Sequence, residues 1–387
     1  MTIVGDDRAL RPASVLDALG PLLPDIGARA PEIEANRRVP GDLLDRLKAA
    51  GAFRLLLPTS HGGAGSDLAA ALPVYEALAR ADASTAWIAV IGGVSWLDLV
   101  SLPRETFDEI YPPGADTVAA GVFNPTGTVR PADGGYVVDG RWSFASGCEH
   151  ADWFYGNCVD ASGDQPLLRM AVLPRDEITI EDTWSVSGLR GTGSHDVVVR
   201  GALVPAARTC AVFADPPCLD SPLTRIPLPS AAPLLMGAVA VGTAQGALDD
   251  VISLAAGKTP LLAPTTLATN PRFQHVLGTA DVQLRAARCL LQAEAAALSA
   301  ATQAGGELTL ALRSRARAAG VHAVTAAADV VDAAYRAGGG TALYDSSPLQ
   351  RRLRDSRALT QHFLVKDDTL TSCGAVLAGL DPDVEVF

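Results

Sequence analysis

The chain has 387 residues, of which 48% are hydrophobic and 19% are charged. This balance is typical of globular proteins with large cores, and it excludes a disordered chain. The formal net charge of −12 also argues against a nucleic-acid partner, because phosphate binding needs clustered cations.

Residues 12 to 110 are predicted to be helical. The clearest helix follows Pro40 and ends at Gly51. Ahead of this region, acidic residues stand where a signal peptide would carry positive charge, so we expect a cytoplasmic protein. The Gly-rich loop at residues 61–66 is a weak phosphate signal, and we expect it to connect helices.

The pattern changes to short alternating runs between about Pro113 and Pro229. Turn signals such as Asp-Gly separate these runs. The six predicted strands are Thr117–Phe123, Gly135–Phe144, Asp152–Val159, Met170–Leu173, Ile178–Trp184 and His195–Val199. Strands at this spacing predict a compact antiparallel barrel or sandwich.

The helical period returns after Pro229. Three long segments, Ala231–Ala256, Arg272–Ala304 and Glu307–Gly338, and a shorter fourth helix predict an up-down bundle. We interpret the apolar run Ala231–Leu248 as a buried core helix, so we expect no membrane partner. The bundle helices offer more apolar surface than one bundle buries, which predicts a homotetramer.

Six cysteines, at positions 148, 158, 210, 218, 289 and 373, include no Cys-x-x-Cys pair. Such scattered cysteines are typical of a reduced intracellular protein, and they favour neither a disulfide framework nor a zinc site. We therefore expect no metal.

One stretch combines an aromatic strand with small polar groups. Trp142 and Phe144 lie on alternate positions of a strand that runs into Ser146 and Gly147. A hydroxyl beside a glycine lets a flat ligand approach the backbone and form a hydrogen bond. An ordinary buried edge strand would show the same alternation, so these residues alone leave both interpretations open.

Three stretches resemble a known family: Gly140–Trp153, the Gly-Leu-Arg-Gly-Thr-Gly-Ser sequence at residues 188–194, and Arg352–His362. They are similar to the acyl-CoA dehydrogenase fold, in the version found in two-component flavin-dependent monooxygenases, and the likeness covers nearly the whole chain. It implies an α+β fold that is mostly α. The expected domains are an N-terminal helical domain (1–112), a central β domain (113–229) and a C-terminal four-helix bundle (230–387).

The resemblance implies the oxygenase component of a two-component monooxygenase, which hydroxylates an aromatic substrate through a C4a-hydroperoxyflavin. The expected cofactor is FAD, supplied as FADH2 by a separate NAD(P)H:flavin reductase, with molecular oxygen as co-substrate. No Gly-x-Gly-x-x-G sequence follows a predicted strand, so the chain is not expected to reduce its own flavin. From composition, we expect a bulky apolar substrate, phenolic or indole-like.

The resemblance also assigns roles around the flavin ring. Trp142 would lie along the isoalloxazine, and Ser146 would sit near N5, where its hydroxyl would steady the hydroperoxide, with Gly147 allowing close approach. Asn124 would line the flavin edge, although an Asn-Pro turn explains it equally well. Thr192 and Ser194 would offer hydroxyls to a polar ligand edge.

The remaining cofactor residues would contact phosphate or the adenine half of FAD. Arg190 would pair with a flavin phosphate or with a neighbouring acid. Arg272 and Gln274, together with Gly338 and Gly339, resemble the region where the family's second subunit meets the adenine half. The Arg-x-x-Phe-Gly sequence usual in the dehydrogenases is missing, which leaves FMN possible.

The resemblance gives the general base to His362. Acyl-CoA dehydrogenases use a glutamate a few residues after an Arg-Asp pair, but no carboxylate lies between Asp355 and Asp367 here. An imidazole with a pKa near neutrality would take a proton from a phenol or ring N–H. His150 is the alternative base.

Two other functions stay open. An acyl-thioester dehydrogenase would place its glutamate on an earlier helix, at Glu294 or Glu307. A non-catalytic scaffold with this fold is the second alternative. The chain also departs from many phenol hydroxylases, which place a histidine where Ser95 precedes Trp96, so its substrate pocket is not a copy of theirs.

Overall fold

The computed structural model describes residues 10–380 and 382. The acidic N-terminal residues that motivated the cytoplasmic prediction lie outside this range. Six helices come first: α1 (Pro12–Leu19), α2 (Leu23–Asn36), α3 (Gly41–Ala49), α4 (Leu68–Ala81), α5 (Ala83–Leu99) and α6 (Arg104–Ile110). Helix α5 begins where the Asp82 carboxylate caps it, accepting hydrogen bonds from the Thr85 amide and hydroxyl at 2.8 Å.

Seven strands follow and form one sheet in the order β5-β6-β2-β1-β3-β4-β7. They are β1 (Ala119–Ala132), β2 (Gly135–Trp142), β3 (Trp153–Asp160), β4 (Leu167–Pro174), β5 (Thr179–Glu181), β6 (Asp196–Pro205) and β7 (Thr209–Ala211). The predicted fold class is confirmed, but one detail was wrong: β1 and β3 pair in parallel, so the sheet is mixed. Local patterns do not specify this pairing, because a long connection joins the two strands.

The sheet has its own apolar core, with Trp142 fully buried inside it. Three glycines, Gly127, Gly140 and Gly156, surround the Trp142 indole so closely that a Cβ atom on any of them would lie 2.2–2.5 Å from it. The indole N–H donates to the Asn157 carbonyl at 2.8 Å. Trp142 is therefore a packing residue of the sheet.

The C-terminal helices are α7 (Leu228–Gly257), α8 (Pro271–Gln303), α9 (Leu310–Gly338), α10 (Pro348–Leu359) and α11 (Thr369–Leu377). Helix α7 is long and apolar enough to cross a membrane by length and composition, yet 94% of its most apolar window is buried inside the protein. It packs against α4 and α9, and a single apolar cluster runs from the N-terminal helices into the bundle. The first and last helical segments therefore share a core.

All six cysteines are free thiols. Burial raises the pKa of Cys148, Cys158 and Cys210 to about 12 in each case. Cys289, on α8, is the exposed one.

Candidate functional site

A hydrogen-bonded group of side chains forms where α5, the end of β2 and the loop at residues 188–194 meet. The Trp87 indole N–H donates to the Ser146 hydroxyl at 3.0 Å. Ser146 lies 2.8 Å from the Ser194 hydroxyl, which lies 2.7 Å from the Thr192 hydroxyl. We call these four residues the hydroxyl cluster. The predicted Ser146, Thr192 and Ser194 thus come together.

The backbone holds the hydroxyl cluster through tight turns. Gly147 has a φ of +73° and Gly193 a φ of +51°, values that glycine adopts without strain. The Gly147 amide donates to the Thr192 carbonyl at 2.9 Å, which ties the two segments together. Gly191 packs so tightly that a Cβ atom there would lie 2.3 Å from Ile33.

Leu189 anchors the loop at residues 188–194 to α10. It adopts a left-handed φ of 51°, and its amide donates to the Asp355 carboxylate at 2.7 Å. Asp355 is buried, and burial together with the nearby Asp82 carboxylate raises its pKa to about 7. The Leu189 carbonyl accepts from the Thr192 hydroxyl at 2.8 Å and the Trp184 indole at 3.0 Å.

His362 completes the site from the turn that follows α10. Its ring is half-buried, edge-on to the Trp87 indole with ring centroids 5.4 Å apart. Burial lowers the pKa of His362 to about 4, so the expectation of a pKa near neutrality was wrong. Nδ1 accepts from the Leu364 amide at 3.3 Å, which places the proton of the neutral ring on Nε2.

A series of aromatic rings continues outward from His362. Phe363 packs beside the imidazole at 4.9 Å between centroids and stacks on Phe123 at 6.4 Å. Phe123 contacts Phe213 at 5.9 Å. Phe363 and Phe213 are 52% and 73% exposed, although both are large and apolar. These three phenylalanine rings, two of them exposed, form an apolar aromatic wall beside the hydroxyl cluster.

The structure corrects the role of Trp142. A fully buried indole has no face free for an isoalloxazine ring, so Trp142 does not lie along the flavin. Phe144, two residues later, is 71% exposed, because β2 ends at Trp142 and Phe144 takes a left-handed φ of 69°. Its ring lies edge-on to Trp184 at 6.0 Å.

Two other residues predicted to bind the cofactor are Asn124 and Arg190. Asn124 is exposed in β1, where the pairing with β3 shifts register between Val122 and Gly127. Arg190 is half-buried and donates to the Val186 carbonyl at 3.4 Å. Its buried Nε atom has no hydrogen-bond partner within the described chain, and no ion pair with an acid forms there.

The residues predicted for the adenine half gather at one end of the bundle. Arg272 and Gln274 are exposed in the first turn of α8. Gly338 and Gly339 lie at the end of α9, where the Lys258 ammonium donates to the Gly338 carbonyl at 2.5 Å. No residue of this group contacts the hydroxyl cluster within the described residues.

The alternative bases lie elsewhere. His150 faces the charged groups of Glu149, Arg38 and Lys48, and burial lowers its pKa. Glu294 lies in α8, ion-paired with Arg315 at 2.8 Å on α9. Glu307 is exposed in the connection between these two helices. None of these side chains joins the hydroxyl cluster, so the site as described holds no dehydrogenase glutamate.

Ser95 is part of a second polar group on α5. Its hydroxyl donates to the Ile91 carbonyl at 2.7 Å and lies 3.3 Å from the Tyr155 hydroxyl. Tyr155 donates to the Asp98 carboxylate at 2.6 Å. Burial raises the pKa of Asp98 to about 6. A serine therefore occupies the position of the phenol hydroxylases' histidine, and its hydroxyl is used within the protein.

Sequence reasoning missed Trp87, Leu189 and Asp355. Trp87 carried a usable signal, because a tryptophan on a largely buried helix needs a partner for its indole N–H. The partner, Ser146, is 59 residues away, and Asp355 is 166 residues from Leu189. Such pairings appear only once the three segments are packed together.

These side chains fit a flavin ring. Ser146 offers a half-exposed hydroxyl, Phe144 offers an exposed aromatic ring, and the hydroxyl cluster contains no acidic group. Family comparison agrees. Residues 25–100 match the model of the acyl-CoA dehydrogenase N-terminal domain, and residues 234–367 match the model of the acyl-CoA dehydrogenase C-terminal domain.

Individual relatives span almost the whole chain. Indole-3-acetate monooxygenase from Pseudomonas putida is 35% identical over 92% of this chain and 91% of its own length. The crystal structure of 3-HSA hydroxylase from Rhodococcus sp. RHA1 has a TM-score of 0.89 at 30% identity, covering 97% of this chain and 99% of that one. XiaF from Streptomyces sp., in complex with FADH2 and glycerol, has a TM-score of 0.90 at 27% identity, covering 96% and 97%. The chain therefore belongs to the acyl-CoA dehydrogenase family, in its branch of flavin-dependent monooxygenases.

Proposed function

We propose that this enzyme hydroxylates an apolar aromatic substrate with reduced flavin at the hydroxyl cluster. One observation carries the proposal: Trp87 donates a hydrogen bond to Ser146 and its ring contacts His362, beside the aromatic wall. Reduced flavin, when bound, supplies the two electrons that activate molecular oxygen. A separate NAD(P)H:flavin reductase provides it, and the cytoplasm is the compartment where both proteins would meet.

Ser146 and Phe144 would face the flavin ring. The Ser146 hydroxyl is half-exposed and would hold the N5 region, while Gly147 allows the ring to approach the backbone. Phe144 supplies the exposed aromatic face that Trp142 does not. Arg190, whose buried Nε has no partner among the described residues, would donate to a phosphate oxygen, and Asn124 would lie at the flavin edge.

Phe123, Phe213 and Phe363 would hold the substrate ring. Exposed rings of this size bind flat apolar molecules, because stacking and desolvation both favour the contact. His362 carries its proton on Nε2 and would donate a hydrogen bond to a substrate oxygen or to the activated oxygen. With a substrate ring bound against them, the same aromatic rings would exclude water on this side. A phenol or an indole of two or more rings fits these features.

The end of the bundle would hold the adenine half of FAD from a neighbouring subunit. Arg272, Gln274, Gly338 and Gly339 lie there with Lys258, which adds a positive charge. FAD is favoured over FMN because only FAD has a group to reach this region. The arrangement requires a homotetramer or at least a dimer, and exposed Val282 and Leu290 on α8 offer apolar surface for it.

Ser146→Ala should raise the release of hydrogen peroxide severalfold relative to hydroxylated product. Loss of the hydroxyl removes a hydrogen bond to the N5 region. That hydrogen bond would protect the flavin against reoxidation that releases peroxide without forming product. Product and peroxide would be measured with FADH2, oxygen, and phenol, indole or 2-naphthol. Ser162→Ala, in the turn after β3, is the matched control. Equal peroxide release from both variants would remove Ser146 from this role, and oxidation of an acyl-CoA would favour the dehydrogenase instead.

Trp142→Phe and Phe144→Ala should have opposite effects. Trp142→Phe leaves a cavity and an unpaired Asn157 carbonyl, so it should lower the free energy of unfolding by about 2 kcal/mol. It should leave flavin affinity unchanged. Phe144→Ala should leave stability within about 0.5 kcal/mol and weaken flavin binding. Urea unfolding measures stability, and flavin titration measures affinity. If only Trp142→Phe lost flavin affinity, Trp142 and not Phe144 would be the residue that faces the flavin.

A further inference from the structure

The proton positions in the hydroxyl cluster follow from counting donors. A carbonyl only accepts, so the Thr192 hydroxyl proton is directed to the Leu189 carbonyl at 2.8 Å. Ser194 must then be the donor in its 2.7 Å bond to Thr192. Because the Ser194 proton is used, Ser146 must be the donor in its 2.8 Å bond to Ser194. All three hydroxyl protons are therefore used within the protein.

Trp87 adds a constraint from the other side. Its indole N–H can only donate, and it occupies one lone pair of the Ser146 oxygen at 3.0 Å. A hydroxyl oxygen has two lone pairs and one proton, so Ser146 keeps a single free lone pair. Toward a ligand, Ser146 is an acceptor and not a donor.

The loop is built so that this order persists. The Leu189 amide is held by the Asp355 carboxylate at 2.7 Å, and its carbonyl also accepts from the Trp184 indole at 3.0 Å. A Cβ atom on Gly188 would lie 2.1 Å from the Arg354 carbonyl, so the segment is packed directly on the α10 backbone. The acceptor at the end of the chain of hydroxyls is therefore fixed by tertiary structure.

Reduced and oxidised flavin differ at the atom that Ser146 would meet. N5 carries a hydrogen in dihydroflavin and a lone pair in oxidised flavin. We infer that Thr192 and Ser194, by directing their protons toward Leu189, make the site selective for dihydroflavin, an inference that rests on the proposed placement of flavin N5 at Ser146. The enzyme thereby binds the dihydroflavin that its reductase delivers and releases the oxidised flavin.

The expected selectivity is about tenfold in dissociation constant. One neutral hydrogen bond contributes about two- to tenfold in affinity, and apposed lone pairs weaken the oxidised form further. The chain of hydroxyls predicts how to remove this selectivity. Thr192→Val frees the Ser194 proton to bond Ser146, whose own proton can then turn to the ligand. Ser194→Ala frees the Ser146 proton directly.

Anaerobic titration of the protein with FADH2 and aerobic titration with FAD would test the inference. Both Thr192→Val and Ser194→Ala should bind oxidised FAD about five- to tenfold more tightly than the parent, with FADH2 affinity changed less than threefold. A gain in affinity cannot come from a damaged fold. Thr243→Val is the matched control, because Thr243 also donates to a carbonyl at 2.8 Å, within α7.

The outcomes separate this inference from the proposed function. Unchanged FAD affinity in both variants, with the parent still preferring FADH2, would overturn the role of Thr192 and Ser194 and leave the proposed function standing. A parent that binds the two forms equally would also overturn the inference. Failure of the parent to bind flavin in either form would remove the proposed function itself and favour the scaffold alternative.

Discussion

His362→Leu should lower the yield of hydroxylated product per reduced flavin about a hundredfold, whereas His362→Gln should retain it within about fivefold. The Nδ1 atom of His362 already accepts from the Leu364 amide, so Nε2–H is the group that the ring offers to the site. Glutamine can present an N–H at a similar reach, and leucine cannot. Losing one well-placed donor commonly costs about a hundred- to a thousandfold in rate.

The same pair of variants distinguishes the donor from the predicted base. Glutamine cannot act as a base, so equal loss in His362→Gln and His362→Leu would restore the base role. The pH profile gives a second reading. Burial lowers the pKa of His362 to about 4, so product yield should show no inflection from this residue between pH 5.5 and 8. An inflection near pH 6.5 that disappears in His362→Gln would contradict the donor role.

The lowered pKa also makes His362 a source of acid sensitivity. In the unfolded chain a histidine binds a proton near pH 6.5, whereas the folded ring stays neutral to about pH 4. The unfolded state therefore binds more protons, and stability is lost as pH falls from about 6.5 toward 4, by at most about 1.4 kcal/mol per pH unit. His362→Leu should remove this part of the slope in urea unfolding.

Asp355→Asn and Asp355→Leu should separate the charge of this carboxyl from its hydrogen bond. An asparagine oxygen can still accept from the Leu189 amide, whereas leucine leaves a buried amide unpaired, which costs about 1–3 kcal/mol. Asp355→Leu should therefore be destabilised at every pH and should bind flavin more weakly, because the loop at residues 188–194 loses its anchor. Asp281→Asn, in an exposed pair on α8, is the matched control.

The pH dependence of Asp355→Asn has a definite sign. Burial first, and then the Asp82 carboxylate, raise the pKa of Asp355 to about 7, with Glu34 adding to the rise. The hydrogen bond from the Leu189 amide and the charge of Arg351 both lower it. The folded state therefore favours the protonated form, and its contribution to stability is lost as pH rises from about 4 through 7. Asp355→Asn should flatten this loss and match or exceed the parent at pH 8. Parallel pH curves for the two proteins would refute the assignment.

Most of the fold could be predicted from the sequence because its signals are local. The spacing of leucines around Pro40 and the long apolar periods after Pro229 each specify a helix without reference to distant residues. The parallel pairing of β1 with β3 could not be predicted in this way, since the alternation of a strand does not identify its neighbour.

The candidate site could be predicted only where its signals are local. Ser146 and Ser194 stand in short sequences with recognisable glycines, so the resemblance could predict roles for them. Trp142 and Phe144 lie on alternate positions, so the alternation of the strand places them on the same face. Only Trp142 is buried, because β2 ends there and Phe144 lies beyond the end of the strand. The pKa of His362 depends on what covers its ring, and that is set by packing.

The buried thiols have a consequence for how long such an enzyme lasts. An oxygenase that turns over without substrate generates an oxidant inside its own structure, and cysteine reacts with it as the thiolate. With pKa values of about 12, Cys148, Cys158 and Cys210 are almost entirely protonated at neutral pH. These three buried thiols are therefore poor targets for the by-product of the chemistry, whereas Cys289, on α8, is the exposed one of the six.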